Sequence, residues 1–136
     1  MYIGDNKTAL ASQRLIADAL LTLLKSKSFS DISISELCKE AKVSRQTFYT
    51  LFKSKENIII YELQSKYPFV LNDKDVISLQ DMCYYFSLYI KTNYKFLKLI
   101  IDNGLSQILF DSLNQGFLSC SSIIPKEYEK NRDFIA

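Results

Sequence analysis

The chain has 136 residues, of which 48% are hydrophobic and 24% charged, and its formal net charge is +2. This length fits one domain or two small ones, and the hydrophobic fraction suffices for a packed core. Gly and Pro are scarce, with three and two residues, which favours helices over a turn-rich β fold. Histidine is absent and the three cysteines are far apart, which argues against the usual zinc sites and most acid–base or nucleophile–histidine catalysis.

The first two helices are predicted from apolar spacing and from a capping pattern. Residues 1–7 are expected to form a flexible arm. Apolar side chains at helical spacing predict a first helix from Thr8 to Lys25. Ser33 followed by Glu36 is a capping box, and Ile32 before it is spaced to pack on Leu37 as a hydrophobic staple. This second helix is predicted to bury its apolar stripe, Ile34, Leu37, Cys38 and Ala41.

A very short third helix follows a turn at residues 42–43, with Ser44 as its cap. Its inward stripe is predicted to be Phe48, Leu51 and Phe52, and the outer surface retains Arg45, Gln46, Thr47 and Tyr49. Ser54 then caps a fourth helix, which Pro68 is expected to end or kink.

The second half of the chain is also predicted to be helical. After a loop at residues 72–75, a helix rich in aromatics runs from a cap at Ser78 to about Thr92, and a shorter one spans Tyr94 to Asp102. Asn103-Gly104 is a stop signal, and a further helix extends from Leu105 to about Ser121. A last helix opens at Pro125 and reaches the end of the chain without a cap, from which we expect a C-terminal truncation.

Three further expectations concern the cysteines, the location of the protein in the cell and catalysis. Cys38, Cys83 and Cys120 are flanked by apolar residues, so each is expected to be a small core side chain. Neither a signal peptide nor a long uncharged span is present in the sequence, so we expect a cytoplasmic protein with no membrane partner. Without histidine, a Gly-rich phosphate loop or clustered carboxylates, we expect no catalytic residues, no metal and no cofactor.

Residues 8–66 resemble the DNA-binding domain of the tetracycline-repressor-like (TetR-like, AcrR-type) family of bacterial transcription regulators. The run that carries this resemblance is ISISELCKEAKVSRQTFYTLFKSKENII. It combines the capped second helix, the Ala-x-Val-Ser turn, the Phe-Tyr-x-x-Phe ending of the third helix, and Lys-Ser-Lys-Glu at the start of the fourth. The stretch SRQTFY is also similar to the subgroup related to the dihydroxyacetone-kinase operon activator.

The resemblance implies an all-α fold with two domains. Residues 1–66 would form a three-helix helix-turn-helix DNA-binding domain. A connecting helix would join it to residues 67–136, a helical regulatory domain for ligand binding and dimerisation that is incomplete at its C-terminus.

The resemblance also implies which side chains contact DNA. Four residues of the third helix would face the major groove and read bases: Arg45, Gln46, Thr47 and Tyr49. Arginine can bind guanine, glutamine can pair with adenine, and the threonine methyl can touch thymine. Phosphate contacts are expected where helix N-termini and lysines meet the backbone, at Ser33, Ser44, Lys42, Lys53 and Lys55.

Charge supports this expectation but does not decide it. Between residues 39 and 55 five basic side chains face one acidic one, a local charge of +4, although such a patch can also be an ordinary solvated face. Lys42 stands where the family usually has glycine, and a left-handed backbone there would cost about 1 kcal/mol or more. Tyr49 can equally hydrogen-bond a phosphate.

The remaining expectations concern the effector, the partners and the role. Aromatic residues of the second half either line a pocket for an unidentified small-molecule effector or simply form core: Tyr84, Tyr85, Tyr89 and Tyr94. The resemblance implies that the full-length protein is a homodimer, which would bind double-stranded, palindromic operator DNA. The leading hypothesis is a ligand-responsive repressor. The alternative is an activator or co-regulator of the same fold that acts through protein contacts.

Overall fold

A computed structural model describes residues 1–66 and 79–119, and both stretches are built from α-helices. The helices are α1 (Lys7–Leu23), α2 (Ile34–Glu40), α3 (Arg45–Leu51), α4 (Lys55–Lys66), α5 (Leu79–Asp102) and α6 (Ser106–Ser119). The all-α class predicted from the sequence is confirmed. The predictions for Pro68, the loop at residues 72–75, the Ser78 cap, Cys120 and the helix after Pro125 lie outside the described residues.

The first residues of the chain are held against the core and do not form the predicted flexible arm. Met1 and Tyr2 pack against the core, and the Tyr2 N–H donates to the Leu51 carbonyl at 2.7 Å. Asn6 then caps α1, because its Oδ1 accepts hydrogen bonds from the N–H groups of Thr8 at 2.9 Å and Ala9 at 3.3 Å. The arm was mispredicted because its local sequence does not reveal these long-range contacts.

The serine that starts α2 caps it as the sequence predicts, but the capping box is only half formed. Ser33 Oγ accepts from the Glu36 N–H at 3.1 Å. The Glu36 carboxylate does not return to the cap and instead forms an ion pair with Lys27, in the loop before the helix. This pair ties the entry loop to α2 at the surface.

The turn between α2 and α3 places a lysine in the left-handed region. Lys42 has φ +54°, the Val43 N–H donates to Cys38 O at 3.0 Å, and the Lys42 N–H donates to Lys39 O at 3.2 Å. These two bonds are those of a Schellman motif, in which glycine normally occupies the left-handed position. The strain expected for Lys42 from the sequence is therefore present.

One core holds the N-terminal helices together. α1 contacts α2, α3 and α4, and α4 also packs on α6. Phe48, Phe52 and Ile58 are completely buried, and Cys38 is buried with them. Cys83 is exposed on α5, so the prediction of a core position is wrong for this cysteine. Its apolar neighbours in sequence did not indicate the helix face on which it lies.

A buried carboxylate joins α1, α4 and α5. Glu62 is 0% exposed, and its Oε1 lies 2.9 Å from Arg14 Nη1, while its Oε2 pairs with the Lys66 ammonium. The Lys66 ammonium in turn lies 4.9 Å from the centre of the Phe96 ring. Two cations thus compensate one buried carboxylate, which would otherwise be costly inside the core.

Residues 79–102 form one helix of 24 residues, not the two that the sequence predicts. Asn93, at the predicted break, keeps its backbone in the helix and donates its Nδ2 to Tyr89 O at 3.0 Å. No proline or glycine interrupts the helix here, so nothing in the backbone forces an end. The predicted stop at Asn103-Gly104 is confirmed, with Gly104 at φ +72° closing a second Schellman motif.

The end of α5 is tied to the N-terminal helices by a side chain. Asn103 Oδ1 accepts from the Phe29 N–H at 2.7 Å, and its Nδ2 donates to Leu99 O at 2.9 Å. Phe29 lies in the loop between α1 and α2 and is buried. The turn between α5 and α6 therefore rests directly on this loop.

In the stretches described, no helix has both the length and the apolar character needed to cross a membrane.

Candidate nucleic-acid interface

Helix α3 is short, and its inner side is fixed by aromatic packing. Ser44 Oγ accepts from the Thr47 N–H at 3.0 Å and so caps its first turn. Phe48 and Leu51 are buried in the core, and the Phe48 and Phe52 rings lie 6.5 Å apart, centre to centre. Seven residues would not form a stable helix alone, so this packing is what maintains α3.

The free face of α3 carries three of the four predicted base-reading residues. At about 100° per residue, Arg45, Tyr49 and Gln46 fall within one arc of about 100° on the side of the helix away from Leu51. All three are exposed, and 44% of Tyr49 is accessible. The Tyr49 ring leans edge to face on Phe48 at 5.2 Å, which restrains its direction. An arginine, an amide and a phenol are thus presented together to the solvent.

Thr47 lies at the flank of this face and is half-buried. Its hydroxyl is 2.8 Å from Ser44 Oγ, so it takes part in the cap. Its methyl group is the part left for an apolar contact. The structure therefore separates Thr47 from the other three by position and by chemistry.

The sequence did not identify Thr50 as part of the same face. Thr50 is exposed next to Gln46, and its hydroxyl donates to Gln46 O at 2.9 Å. An open groove runs between this side of α3 and the start of α1. Its lining is mostly small and polar: Asn6, Thr8, Ala9, Ser12, Gln46, Thr47, Thr50 and Leu51. The helical spacing of Thr50 from Gln46 was the available signal for it, whereas nothing local in the sequence pointed to α1.

Four of the five predicted phosphate contacts are accessible at the surface. Ser33 and Ser44 are exposed at the N-termini of α2 and α3. Lys42 and Lys53 are exposed in the turns before and after α3, both with positive φ, and no ion pair within the described stretches engages either ammonium. The two lysines place positive charge in the turns on either side of α3.

The fifth, Lys55, is turned toward the protein. Its Nζ donates to Phe29 O at 2.7 Å and to Ile32 O at 2.6 Å, and it lies 4.6 Å from the centre of the Phe29 ring. Two of the three N–H donors of this ammonium are thus engaged within the fold. A structural role, joining α4 to the loop before α2, accounts for Lys55 better than a phosphate contact does.

The Arg45 guanidinium also affects the pKa of a buried thiol. Burial raises the pKa of the Cys38 thiol, and the nearby Arg45 guanidinium offsets part of that rise. Cys38 belongs to α2 and is buried in the core. The thiol therefore remains protonated and apolar at neutral pH, as a core side chain should.

A cavity of about 440 Å³ lies between α5 and α6. Tyr89 and Tyr94 belong to its lining, which is otherwise largely apolar, with Lys98 and Asp102 also contributing. Tyr89 is buried, and this burial raises the pKa of its hydroxyl. Tyr84 and Tyr85 are exposed and stack edge to face on each other at 5.5 Å, away from this cavity. The structure thus brings together only two of the four predicted pocket tyrosines.

In the part of the chain that is described, no cluster of three possible metal ligands occurs.

Comparison with known proteins agrees with this arrangement. Residues 16–61, which run from within α1 to within α4, match the family described as bacterial regulatory proteins, tetR family. The chain is 29% identical over 72 residues to the HTH-type dhaKLM operon transcriptional activator DhaS of Lactococcus lactis subsp. lactis (strain IL1403), covering 53% of this chain and 38% of that protein. It is 34% identical over 55 residues to the uncharacterized HTH-type transcriptional regulator YuxN of Bacillus subtilis (strain 168), covering 40% of this chain and 19% of that protein.

The family match lies in the N-terminal helices, and the aligned stretches are a minor part of each relative. The chain spans less than two fifths of the length of either protein. No solved structure shows significant similarity to it. The match to DhaS agrees with the subgroup that the SRQTFY stretch resembles. Through residues 16–61, the chain is similar to the tetR family of bacterial regulatory proteins.

Proposed function

We propose that the protein is a transcription regulator that binds operator DNA through α3. The observation that carries this proposal is the free face of α3, where Arg45, Gln46 and Tyr49 stand together on a helix fixed by its buried side. An arginine and a glutamine on a helix of this kind can each form a bidentate pair with a base in the major groove. Thr47 adds its methyl group at the flank.

Phosphate contacts would fix the position of α3 on the duplex. We assign them to the exposed caps and lysines around it, which are Ser33, Ser44, Lys42 and Lys53. Such contacts provide affinity for any sequence and weaken with salt. The base-reading residues then supply the discrimination between sequences.

The remaining parts of the proposal concern the whole protein. Residues 1–66 would be the DNA-binding domain and residues 67–136 a regulatory domain. Two copies would place two α3 helices on a palindromic operator, with half-sites about one DNA turn apart. The cavity with Tyr89 and Tyr94 is the proposed site of a small-molecule effector, and its apolar lining favours an apolar or aromatic compound. Binding to chromosomal DNA in the cytoplasm follows from such a role.

Selection from a randomised duplex library tests DNA reading. The full chain should enrich an inverted repeat over several rounds, and the enriched duplex should be bound in preference to a scrambled one. Recovery of unrelated sequences after selection would contradict the proposal, because it would leave only binding to the phosphate backbone.

Repression is the role proposed from the sequence, and activation is a second candidate. DhaS, to which this chain is similar, is a transcriptional activator by name, which favours the second candidate. A reporter placed behind the selected operator distinguishes the two roles. Expression should rise on deletion of the gene if the protein represses, and should fall if it activates.

A further inference from the structure

The N-terminal arm, residues 1–6, is attached to the last turn of the DNA-facing helix. The Tyr2 N–H donates to Leu51 O at 2.7 Å. The Tyr2 carbonyl accepts from Gln13 Nε2 on α1 at 3.1 Å. Gln13 is only 1% exposed, and it is one of two buried polar or charged residues in the described stretches. A buried amide is costly unless it is bonded, so this bond to the arm accounts for its presence.

The arm itself has a defined shape. Tyr2 Oη accepts from the Asn6 N–H at 3.4 Å, so its ring folds back over residues 3–5. A Cβ added at Gly4 would collide with that ring, and only a residue without a side chain permits the approach. Met1 and the Tyr2 ring also pack against the core. The arm is therefore folded against α1 and α3, with Ile3 left in solvent.

Helix α3 needs such support at its end. It has seven residues, and the last carbonyls of a helix have no partner within it. Leu51 O is satisfied by Tyr2, and Phe52 O accepts from Asn57 Nδ2 on α4 at 2.6 Å. The end of α3 is thus held from two sides, by the arm and by α4.

We propose that the arm, held in place by Gln13, positions α3 for sequence-specific DNA binding. Gln13 is a positioning residue that acts through Tyr2 and does not contact DNA. The groove between α1 and α3 supports this role, because Gln46, Thr47 and Thr50 form the wall opposite the start of α1. Base-reading side chains must be held within roughly 0.5 Å of their productive geometry, so release of the helix end would impair discrimination first. This inference rests on the proposed function.

The test uses the full chain with Gln13→Met, which removes the donor while keeping the length and much of the volume of the side chain. The matched control is Leu15→Met, an exposed position on the same helix. Two measurements are made, namely hydrogen exchange at the Tyr2 amide and affinity for the selected operator and for a scrambled duplex. Gln13→Met should remove protection at Tyr2 and weaken operator binding about five- to tenfold, with scrambled binding unchanged. Leu15→Met should change neither quantity.

A second pair of variants addresses the bond to α3 directly and does not disturb the core. Tyr2→Pro lacks the N–H that reaches Leu51 O, whereas Tyr2→Ala keeps it, and both lose the ring. Both variants carry an uncleaved N-terminal tag, so that residue 2 remains joined to a preceding residue by a peptide bond. Tyr2→Pro should weaken operator binding more than Tyr2→Ala does, and equal affinities would overturn the proposal.

The positioning role of Gln13 and the proposed function can be refuted separately. If wild-type protein prefers the operator and Gln13→Met retains that preference after losing Tyr2 protection, the positioning role is refuted and the proposed function stands. If wild-type protein binds operator and scrambled duplexes alike, both are refuted.

Discussion

Replacing Lys55 separates a structural lysine from a DNA-binding one. Lys55→Met keeps most of the side-chain stem but removes the ammonium, which leaves Phe29 O and Ile32 O without their donor. A net contribution of about 1.5 kcal/mol for each charge-assisted bond is appropriate here, because the site is only partly buried. The cation–π contact with Phe29 adds roughly 0.5 kcal/mol. We therefore expect a loss of about 3.5 kcal/mol in the free energy of unfolding.

Urea denaturation followed by circular dichroism measures this loss. A change of about 3.5 kcal/mol is large for a protein whose total stability is typically ~5–15 kcal/mol, and it should lower the midpoint by about 1–3.5 M. Lys53→Met is the matched control, because Lys53 is exposed and lies two residues away. It should change stability by less than ~0.5 kcal/mol.

For the salt dependence of DNA binding, we expect the Lys53 substitution to have the larger effect. Lys53→Met should reduce the slope of log affinity against log salt by about 0.9, the value for one phosphate contact, and Lys55→Met should leave it unchanged under folded conditions. A Lys55→Met protein that is as stable as wild type and has the flatter salt slope would refute the structural role of Lys55.

Two further substitutions test contacts that hold the fold. Asn103→Ala removes the acceptor of the Phe29 N–H and should lower the free energy of unfolding by about 1–2 kcal/mol in urea titration, whereas an unchanged midpoint would mean that this link contributes nothing. Lys42→Gly relieves the left-handed strain at φ +54° and should raise stability by about 1 kcal/mol in thermal denaturation, and a lower melting temperature would contradict the strain argument.

Local signals made the N-terminal helices predictable. The caps at Ser33 and Ser44 involve residues three apart in sequence, and both are present as predicted. The inward stripe of α3 follows from helical periodicity, and the stop at Gly104 follows from the need for a left-handed residue. These features depend on neighbours within one or two turns, so the sequence contains all the information needed.

Contacts between distant residues were not predictable in the same way. The bond from Tyr2 to Leu51 joins the N-terminal arm to the end of α3, and the inward turn of Lys55 depends on where the loop before α2 lies. The merging of two predicted helices into α5 shows the same limit, because an apolar pattern does not reveal whether a helix continues through Asn93. In each case tertiary packing decides among alternatives that the local sequence allows.

The most direct test of base reading by α3 is the affinity of Arg45→Ala for the selected operator and for a scrambled duplex, measured by fluorescence anisotropy at one salt concentration. Arg45 is exposed at the first position of α3, so its removal should leave the fold intact. We predict that operator binding weakens by about 1–3 kcal/mol while scrambled binding changes much less. Lys53→Ala should weaken both duplexes together. An equal loss on both duplexes for Arg45→Ala would contradict sequence reading by this helix.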